Sequence, residues 1–485
     1  MALLYVDRTR YVTGLGHCLM NRYLGHHLYG TGITYVGSSI PLVTGSHTHD
    51  AIEHIAKFCQ QVQQSAPETP WIDIYNEVTK KHVVRNSIEA TIDKYNLQVD
   101  ETDVKNLTEF PEDIEEQVME QCSLVGGLVW VWVKKALPWV LEHYEIVAVE
   151  REFEYVIDCD CGLAGLGSVA DHEFRGCNGI VLMTRPDLIL RHKMSGHLIY
   201  VELKTGGDVK NRNYSQQFED NIQFALGAAA AQKVLGEEIK ELYVHALHKG
   251  QRDREYNVTT REYDGPRKQN SPFCYGFFKE GQPPLVPDEL LPSYWNHDPV
   301  TGKRWGATEN RGYKKVETWK IEWQDKPHEV PYYEHIVNMY EALDGDELSN
   351  HIKFIGPIGN QTFLTERLLV EMAYEERRWK ERTDYLDALY EELGGDVTHP
   401  DYQEALSAVI PRSWECYKYG GWCDKIHICF QRPGWEDPLS TSKYSRRTPN
   451  HPIELNAQPF KELEDAKAEQ KATGGPTESS STEQG

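Results

Sequence analysis

The stretch RPDLILRHKMSGHLIYVELKTGG, residues 185–207, decides how the rest of the chain is read. Two runs rich in Leu, Ile, Val and Tyr flank HKMSG, a polar segment ending in Gly, so the pattern predicts a β-hairpin. Side chains at i and i+2 share one face of a strand, which projects Glu202 and Lys204 together. Asp187 begins the first strand, and the turn brings the two strands side by side. Two carboxylates plus a neighbouring backbone carbonyl suit Mg2+ or Mn2+, and a lysine beside metal-bound water can orient or help deprotonate it. That is equipment for phosphodiester hydrolysis. The same residues at the same spacing also occur as a plain ion pair at a strand edge.

Outward from the hairpin, EIVAVEREFEYVI from 145, a Gly-rich segment and GIVLM read as the start of a sheet. After it, SQQFEDNIQFALGAAAAQKVLG (215–236) predicts a helix from its Ala content, with the final Gly as C-cap. Residues 47–143 are mostly helical in pattern, 250–325 read as loops with short strands, and 330–410 return to helix. The expected organisation is an N-terminal segment (1–50), a helical subdomain (51–144), the sheet-containing core (145–250), a loop-rich basic and aromatic region (251–329), a C-terminal helical region (330–435) and an extended end (436–485). From about 461 the chain has almost no large apolar residues and predicts a disordered tail.

Composition narrows the function classes. The 485 residues carry 51 Lys+Arg against 75 Asp+Glu, a net charge of -24, which excludes coating of nucleic acid or anionic membrane by bulk electrostatics but leaves room for a local basic cleft. Asp7, Arg8 and Arg10 interrupt any apolar leader, and the greasy LVGGLVWVWV (124–133) ends at Lys134 after about half of the roughly 20 residues a spanning helix requires. The expectation is a cytoplasmic protein with no membrane partner, with that run as a buried helix. Ten cysteines then suggest thiols that are reduced or bind metal.

At this point RPD followed by VELKTG resembles the signature of the PD-(D/E)XK nuclease superfamily, and the trailing TG is similar to its RecB-type branch. The resemblance implies an α/β restriction-endonuclease-like core, a central mixed sheet flanked by helices, with large helical additions. It further implies a Gly-x(3)-His element, matched by GSHTH at 45–49, which makes His49 a metal ligand with Asp187 and Glu202. Lys204 then positions the attacking water, and Gln223, with Gln217 as second choice, assists. The branch often has Tyr four residues after that Gln, where this chain has Gly227. Glu150 or Glu152 would supply the Glu of the family's first strand.

CYKYGGWCDKIHIC (416–429) gives C-x6-C-x5-C, and three thiolates so close in sequence suggest one metal centre. Cys18 resembles the early Cys of the iron-sulfur members of this branch, the CRISPR-associated RecB-like exonucleases and AddB-type subunits. By that resemblance Cys18, Cys416, Cys423 and Cys429 would hold a [4Fe-4S] cluster as a structural staple. The x6 gap departs from the family's usual spacing, so structural Zn2+ on the same residues, or with His427, is the rival. Cys159, Cys161 and Cys177 are read as buried or loop thiols.

The basic and aromatic segments 249–269 and 302–315 offer Arg and Lys for phosphates and Trp and Tyr for stacking on unpaired bases. The combined expectation is a DNA exonuclease acting on ends or single strands, with a helicase or recombination partner. The alternatives are an inactive nuclease-fold scaffold in a recombination or spacer-capture complex, and a zinc-stabilised nucleic-acid-binding module.

Overall fold

The computed structural model describes, with short breaks, residues 3–35, 40–90, 114–269 and 348–447, together with strands at 277–279 and 313–315. In chain order the elements are β1 (Leu4–Asp7), α1 (Leu19–His26), β2 (Ile33–Tyr35), α2 (Ile40–Ser65), α3 (Trp71–Thr79), α4 (Ile114–Lys135), α5 (Leu137–His143), β3 (Tyr144–Val149), β4 (Phe153–Cys159), α6 (Val169–Phe174), β5 (Gly179–Thr184), β6 (Leu188–His192) and β7 (Leu198–Gly206). They continue with α7 (Arg212–Gln216), α8 (Ile222–Leu235), β8 (Ile239–His248), β9 (Arg252–Asn257), β10 (Glu262–Gln269), β11 (Phe277–Lys279), β12 (Tyr313–Lys315), β13 (Ile352–Gly359), α9 (Thr362–Glu392), α10 (Pro400–Val409), β14 (Tyr417–Lys418), β15 (Gly421–Trp422), α11 (Ile426–Cys429) and β16 (Tyr444–Arg446). The chain divides into two units, each discontinuous in sequence: 37–153 with 185–365, and 1–36 with 154–184 and 366–485.

The first of these units is built on a mixed five-stranded sheet in the order β13-β8-β7-β6-β3. The hairpin expected from 185–207 forms: β6 and β7 pair antiparallel, with Leu188 opposite Val201 and Arg191 opposite Leu198. β7 and β8 pair in parallel, and a parallel neighbour requires a crossover, which α8 provides. Asn221 starts that helix by accepting from the amides of Gln223 and Phe224 at 3.0 and 3.3 Å, and Gly236 ends it at φ 69°. The cap at Asn221 also divides the segment 215–236, so the helix proper begins at Ile222, later than the sequence pattern suggests.

Alternation along β7 sorts its side chains between two cores. Ile199, Val201 and Leu203 join one cluster with Leu188, Leu190 and residues of α2 and α4. Leu198 and Tyr200 join the other with Ile189, Phe224, Ala228 and Ala231 of α8. Each fully buried Leu, Ile or Val contributes about 1.5–3 kcal/mol relative to exposure, so a one-residue register slip, which would exchange the two faces, is strongly disfavoured. Continuing the alternation puts Glu202 and Lys204 on the face of Tyr200. The edge strand β3 is covered by α2: Gln63 accepts from the Ile146 amide at 2.8 Å and donates to the Tyr144 carbonyl at 3.1 Å, while Gln60 donates to the Val147 carbonyl at 2.8 Å.

Leu124–His143 is the stretch, among the described residues, long and apolar enough to cross a bilayer, yet 78% of its apolar window is buried inside the protein. It forms the greasy layer over the sheet, with Trp132 fully buried. One element departs from the expected helical region 330–410: Ile352–Gly359 is a strand, β13, pairing antiparallel with β8 from Ile352 opposite Leu247 to Gly359 opposite Glu241. IKFIGPIG carries β-branched and aromatic residues and a Pro, which an edge strand tolerates and a helix interior does not.

In the second unit β1 joins β5 in parallel, Leu4 opposite Ile180 and Asp7 opposite Met183, within the sheet β1-β5-β4. A separate core gathers Met20, Tyr23 and Leu24 of α1, Trp379 and Leu386 of α9, Tyr402 and Leu406 of α10, and Ile428 of α11. Arg22 is enclosed there, 2.6 Å from Glu376 Oε1, with its guanidinium 4.2 Å from the Trp379 ring centroid. The Gly-rich stretch after β4 contains α6, fixed by a capping box in which Ser168 and Asp171 exchange hydrogen bonds.

Candidate metal centre

Asp187 lies just before β6 and opposite Glu202, by extension of the Leu188–Val201 pairing. Its Oδ2 accepts from the Leu203 amide, which orients the carboxylate at the mouth of the hairpin. Helix α2 reaches this point from another direction. Gly45 approaches β7 so closely that a Cβ there would sit 2.8 Å from Thr205 Oγ1, and one turn later His49 brings Nδ1 to 3.8 Å from Asp187 Oδ1. The small residue and the histidine of GSHTH therefore act together: the first permits the approach, the second exploits it. His47, the neighbouring histidine, is buried.

Glu150 completes a group of three whose ligand atoms, one from each of His49, Glu150 and Asp187, lie within 4.8 Å of one another. It stands at the end of β3 with φ 46°, an uncommon conformation for a residue with a Cβ. Its amide donates to the Asp187 carbonyl at 3.1 Å, and Arg185 Nε lies 3.0 Å from its carboxylate. Burial, reinforced by the Asp187 charge and a hydrogen bond with Asp187, pushes the Glu150 carboxyl up to about 9 despite Arg185. A Glu150 carboxyl held protonated in this way would give up its proton to a divalent cation. Two oxygens and one imidazole nitrogen suit Mg2+ or Mn2+, so the donor set fits the expected metal.

Glu202, almost fully buried, is held by two donors: Tyr200 Oη at 2.6 Å and Lys204 Nζ at 2.7 Å. Lys204 is also 5.7 Å from the Phe224 ring centroid. Gln223, the residue before that Phe, is half-buried in the first turn of α8, whereas Gln217 is exposed at the end of α7. At the far end of β7 the Lys249 amide donates to the Gly206 carbonyl at 2.9 Å, and burial pushes the Lys249 ammonium down to about 8.

Of the residues expected from the sequence, then, His49 meets Asp187, Glu202 meets Lys204, and Gln223 stands in the first turn of the helix whose Phe224 ring lies near Lys204. Glu150, rather than the exposed Glu152, joins the cluster. Tyr200 was not anticipated, although Y-x-E-x-K carries the signal: three polar ends on one strand face. No family model matches this chain, and no curated protein matches it in sequence.

The thiols fall into two places. Cys18 is the N-cap residue of α1, and both it and Cys429 of α11 pack against the same core. Cys423 is half-buried just after β15, and Cys416 lies outside the described residues. The side chains of the basic segments, beyond Lys249 and Gly250, and the C-terminal tail also lie outside them. The other group is Cys159, Cys161 and Cys177, read from the sequence as buried or loop thiols: they converge with His172, one possible ligand atom from each of the four lying within 4.8 Å of the others. The sequence hides this because the fourth ligand is a histidine on α6, separated from the thiols by the Gly-rich loop. The four residues form a buried site able to hold a metal.

Proposed function

We propose that the protein is a metal-dependent nuclease that hydrolyses phosphodiester bonds in DNA, at ends or in single strands, with its active centre on the β6–β7 hairpin in a PD-(D/E)XK-like core. The observation that carries this reading is the meeting of His49, Glu150 and Asp187 beside the Glu202–Lys204 pair. Three segments remote in sequence bring possible ligand atoms to one point, and a strand-edge ion pair has no need of the other two.

His49, Glu150 and Asp187 would hold Mg2+ or Mn2+, with Glu202 completing the set when its carboxylate turns from Tyr200. A bound divalent cation supplies charge neutralisation at the phosphate and a more acidic bound water. Lys204, a three-donor ammonium beside Glu202, would orient a water or a phosphate oxygen for in-line attack. Tyr200 fixes Glu202 so that the lysine stays aimed along the strand. Phe224 at the start of α8 bounds the same side, and Gln223 beside it in the first helical turn would be the assisting group.

That Cys18 and Cys429 border one core is consistent with the further reading of a [4Fe-4S] cluster on Cys18, Cys416, Cys423 and Cys429, a staple that would close a loop of nearly the whole chain. A helicase or recombination partner fits an end-directed nuclease.

The test is cleavage of end-labelled single-stranded and duplex DNA by anaerobically purified protein with Mg2+ or Mn2+, comparing wild type with Glu202→Gln and Lys204→Met. Each substitution keeps side-chain size and is expected to lower the rate by at least about 100-fold, the scale of losing one acid-base or electrostatic group. Equal cutting by all three proteins, or none by the folded wild type with either metal, would remove the nuclease reading and favour the inactive scaffold.

A further inference from the structure

The second cluster of metal-ligating side chains has no part in the hydrolytic centre. Its four members come from consecutive pieces of the unit containing β1, β4 and β5: Cys159 ends β4, Cys161 lies in the turn that follows, His172 is on α6, and Cys177 stands just before β5. Cys159 Sγ is 3.0 Å from Cys161 Sγ, and His172 Nδ1 is 3.2 Å from Cys159 Sγ and 3.5 Å from Cys161 Sγ. The sulfur pair is well outside a disulfide bond of about 2.05 Å.

We propose that Cys159, Cys161, His172 and Cys177 form a structural zinc site. Tetrahedral Zn2+ with bonds of about 2.3 Å to sulfur and about 2.0 Å to nitrogen spaces its ligand atoms about 3.5–3.8 Å apart, so the His172–sulfur separations need adjust by only a few tenths of an ångström and the Cys159–Cys161 pair must open by about 0.8 Å, which the exposed Cys161 in its turn can do. Three thiolates and one imidazole are a closed structural set, with no fourth position left for substrate. Soft sulfur donors select zinc over the Mg2+ or Mn2+ suited to the carboxylates of the other centre.

Local structure prepares the geometry. Cys159, His172 and Cys177 are buried, and Cys161 is the open member. The Cys177 amide donates to the His172 carbonyl at 3.1 Å, and the Asp160 amide donates to the Asn178 carbonyl at 2.9 Å, which brings both ends of the loop together before any metal binds. Asn178 returns a hydrogen bond from its own amide to Asp160 Oδ1 at 3.0 Å. Among the described residues, Val156 and Val181, with Leu3, Tyr5 and Val169, supply the apolar cover beneath the cluster. A core this small gives the long β4–β5 connection little to fold around, and the zinc ties β4, α6 and β5 to one point.

The experiment is metal analysis of the full-length chain, purified under reducing conditions without chelators, for wild type, His172→Ala, Cys177→Ser and His172→Cys, with circular dichroism as the folding control. The expected result is about one zinc per wild-type chain, at least tenfold less in His172→Ala and Cys177→Ser, and retention in His172→Cys, which preserves four donors. Iron held elsewhere should be unchanged in all four proteins. Cobalt substitution should give the absorption bands of a tetrahedral thiolate site in wild type and lose them in the two ligand-removing variants. Zinc content untouched by His172→Ala and Cys177→Ser, iron in place of zinc on these residues, or a Cys159–Cys177 disulfide in the reduced preparation overturns the proposal. If Cys177→Ser does not fold, a thiol-reactive mercurial is titrated into wild type with a zinc indicator present: release of about one zinc per chain supports the site, and no release overturns it.

Discussion

Glu150→Gln separates a metal-binding carboxyl pair from an ordinary buried ion pair. In the metal-free protein burial and Asp187 raise the Glu150 carboxyl to about 9, against 4.5 for the unperturbed group. A raised carboxyl pKa means that the folded chain keeps a proton the unfolded chain has released, so stability is full below about 4.5 and falls as pH rises toward about 9. The slope for one proton is about 1.4 kcal/mol per pH unit, or about 3 kcal/mol between pH 5 and 7.5. Gln carries no proton to lose, so the difference in unfolding free energy between variant and wild type should grow in the variant's favour across that window. Urea unfolding with EDTA at half-unit pH steps measures it. With saturating Mn2+ the sign reverses at neutral pH, because the cation stabilises the wild-type carboxylates and binds the variant less well. Calorimetry in buffers of different ionisation enthalpy should find release of about one proton on Mn2+ binding at pH 7 to wild type and close to none for Glu150→Gln. Parallel pH profiles of the two proteins, with no proton released on binding, would refute the raised Glu150 carboxyl and with it the proposed place of Glu150 among the ligands.

Other predictions test the surrounding structure. Gly45→Ala sets a methyl group against Thr205, so it should push α2 away from β7 and reduce Mn2+ affinity by at least about tenfold, read by calorimetry, with a smaller effect on the thermal midpoint. Glu376→Ala leaves the Arg22 charge enclosed without its carboxylate and should cost about 3–5 kcal/mol in urea unfolding, whereas Arg22→Met with Glu376→Leu should recover most of that loss. His245, fully buried, has its pKa lowered to about 3 by desolvation and accepts from Trp132 Nε1 through Nδ1 at 3.3 Å. It should stay neutral in histidine NMR spectra down to about pH 4, while the stability it contributes above pH 6.5 declines as pH falls through that range toward 3. Lys249→Met removes a lysine whose ammonium titrates near 8, and should flatten any change in DNA affinity between pH 7 and 9.

Local pattern determined a good deal of this protein. The hairpin of 185–207, the crossover helix with its Gly236 cap, the buried helix at 124–133 and the i, i+2 pairing of Glu202 with Lys204 all follow from residue type and spacing, because strand alternation and helix capping act within a few residues. The edge strand β13 did not stand out, since eight residues inside a region otherwise rich in helix formers are decided by the free edge of β8 that they cover. Tertiary structure alone brought Gly45 against Thr205, chose Glu150 over Glu152, and used Tyr200 to hold Glu202. It also gathered Cys159, Cys161, His172 and Cys177, because a metal site is defined by convergence in space, and a histidine on a short helix beyond a Gly-rich loop carries no spacing that announces its partners. Sequence fixes which donors are present; the distances that make them ligands depend on the packing of α2 on β7 and on the return of β5 beside β4.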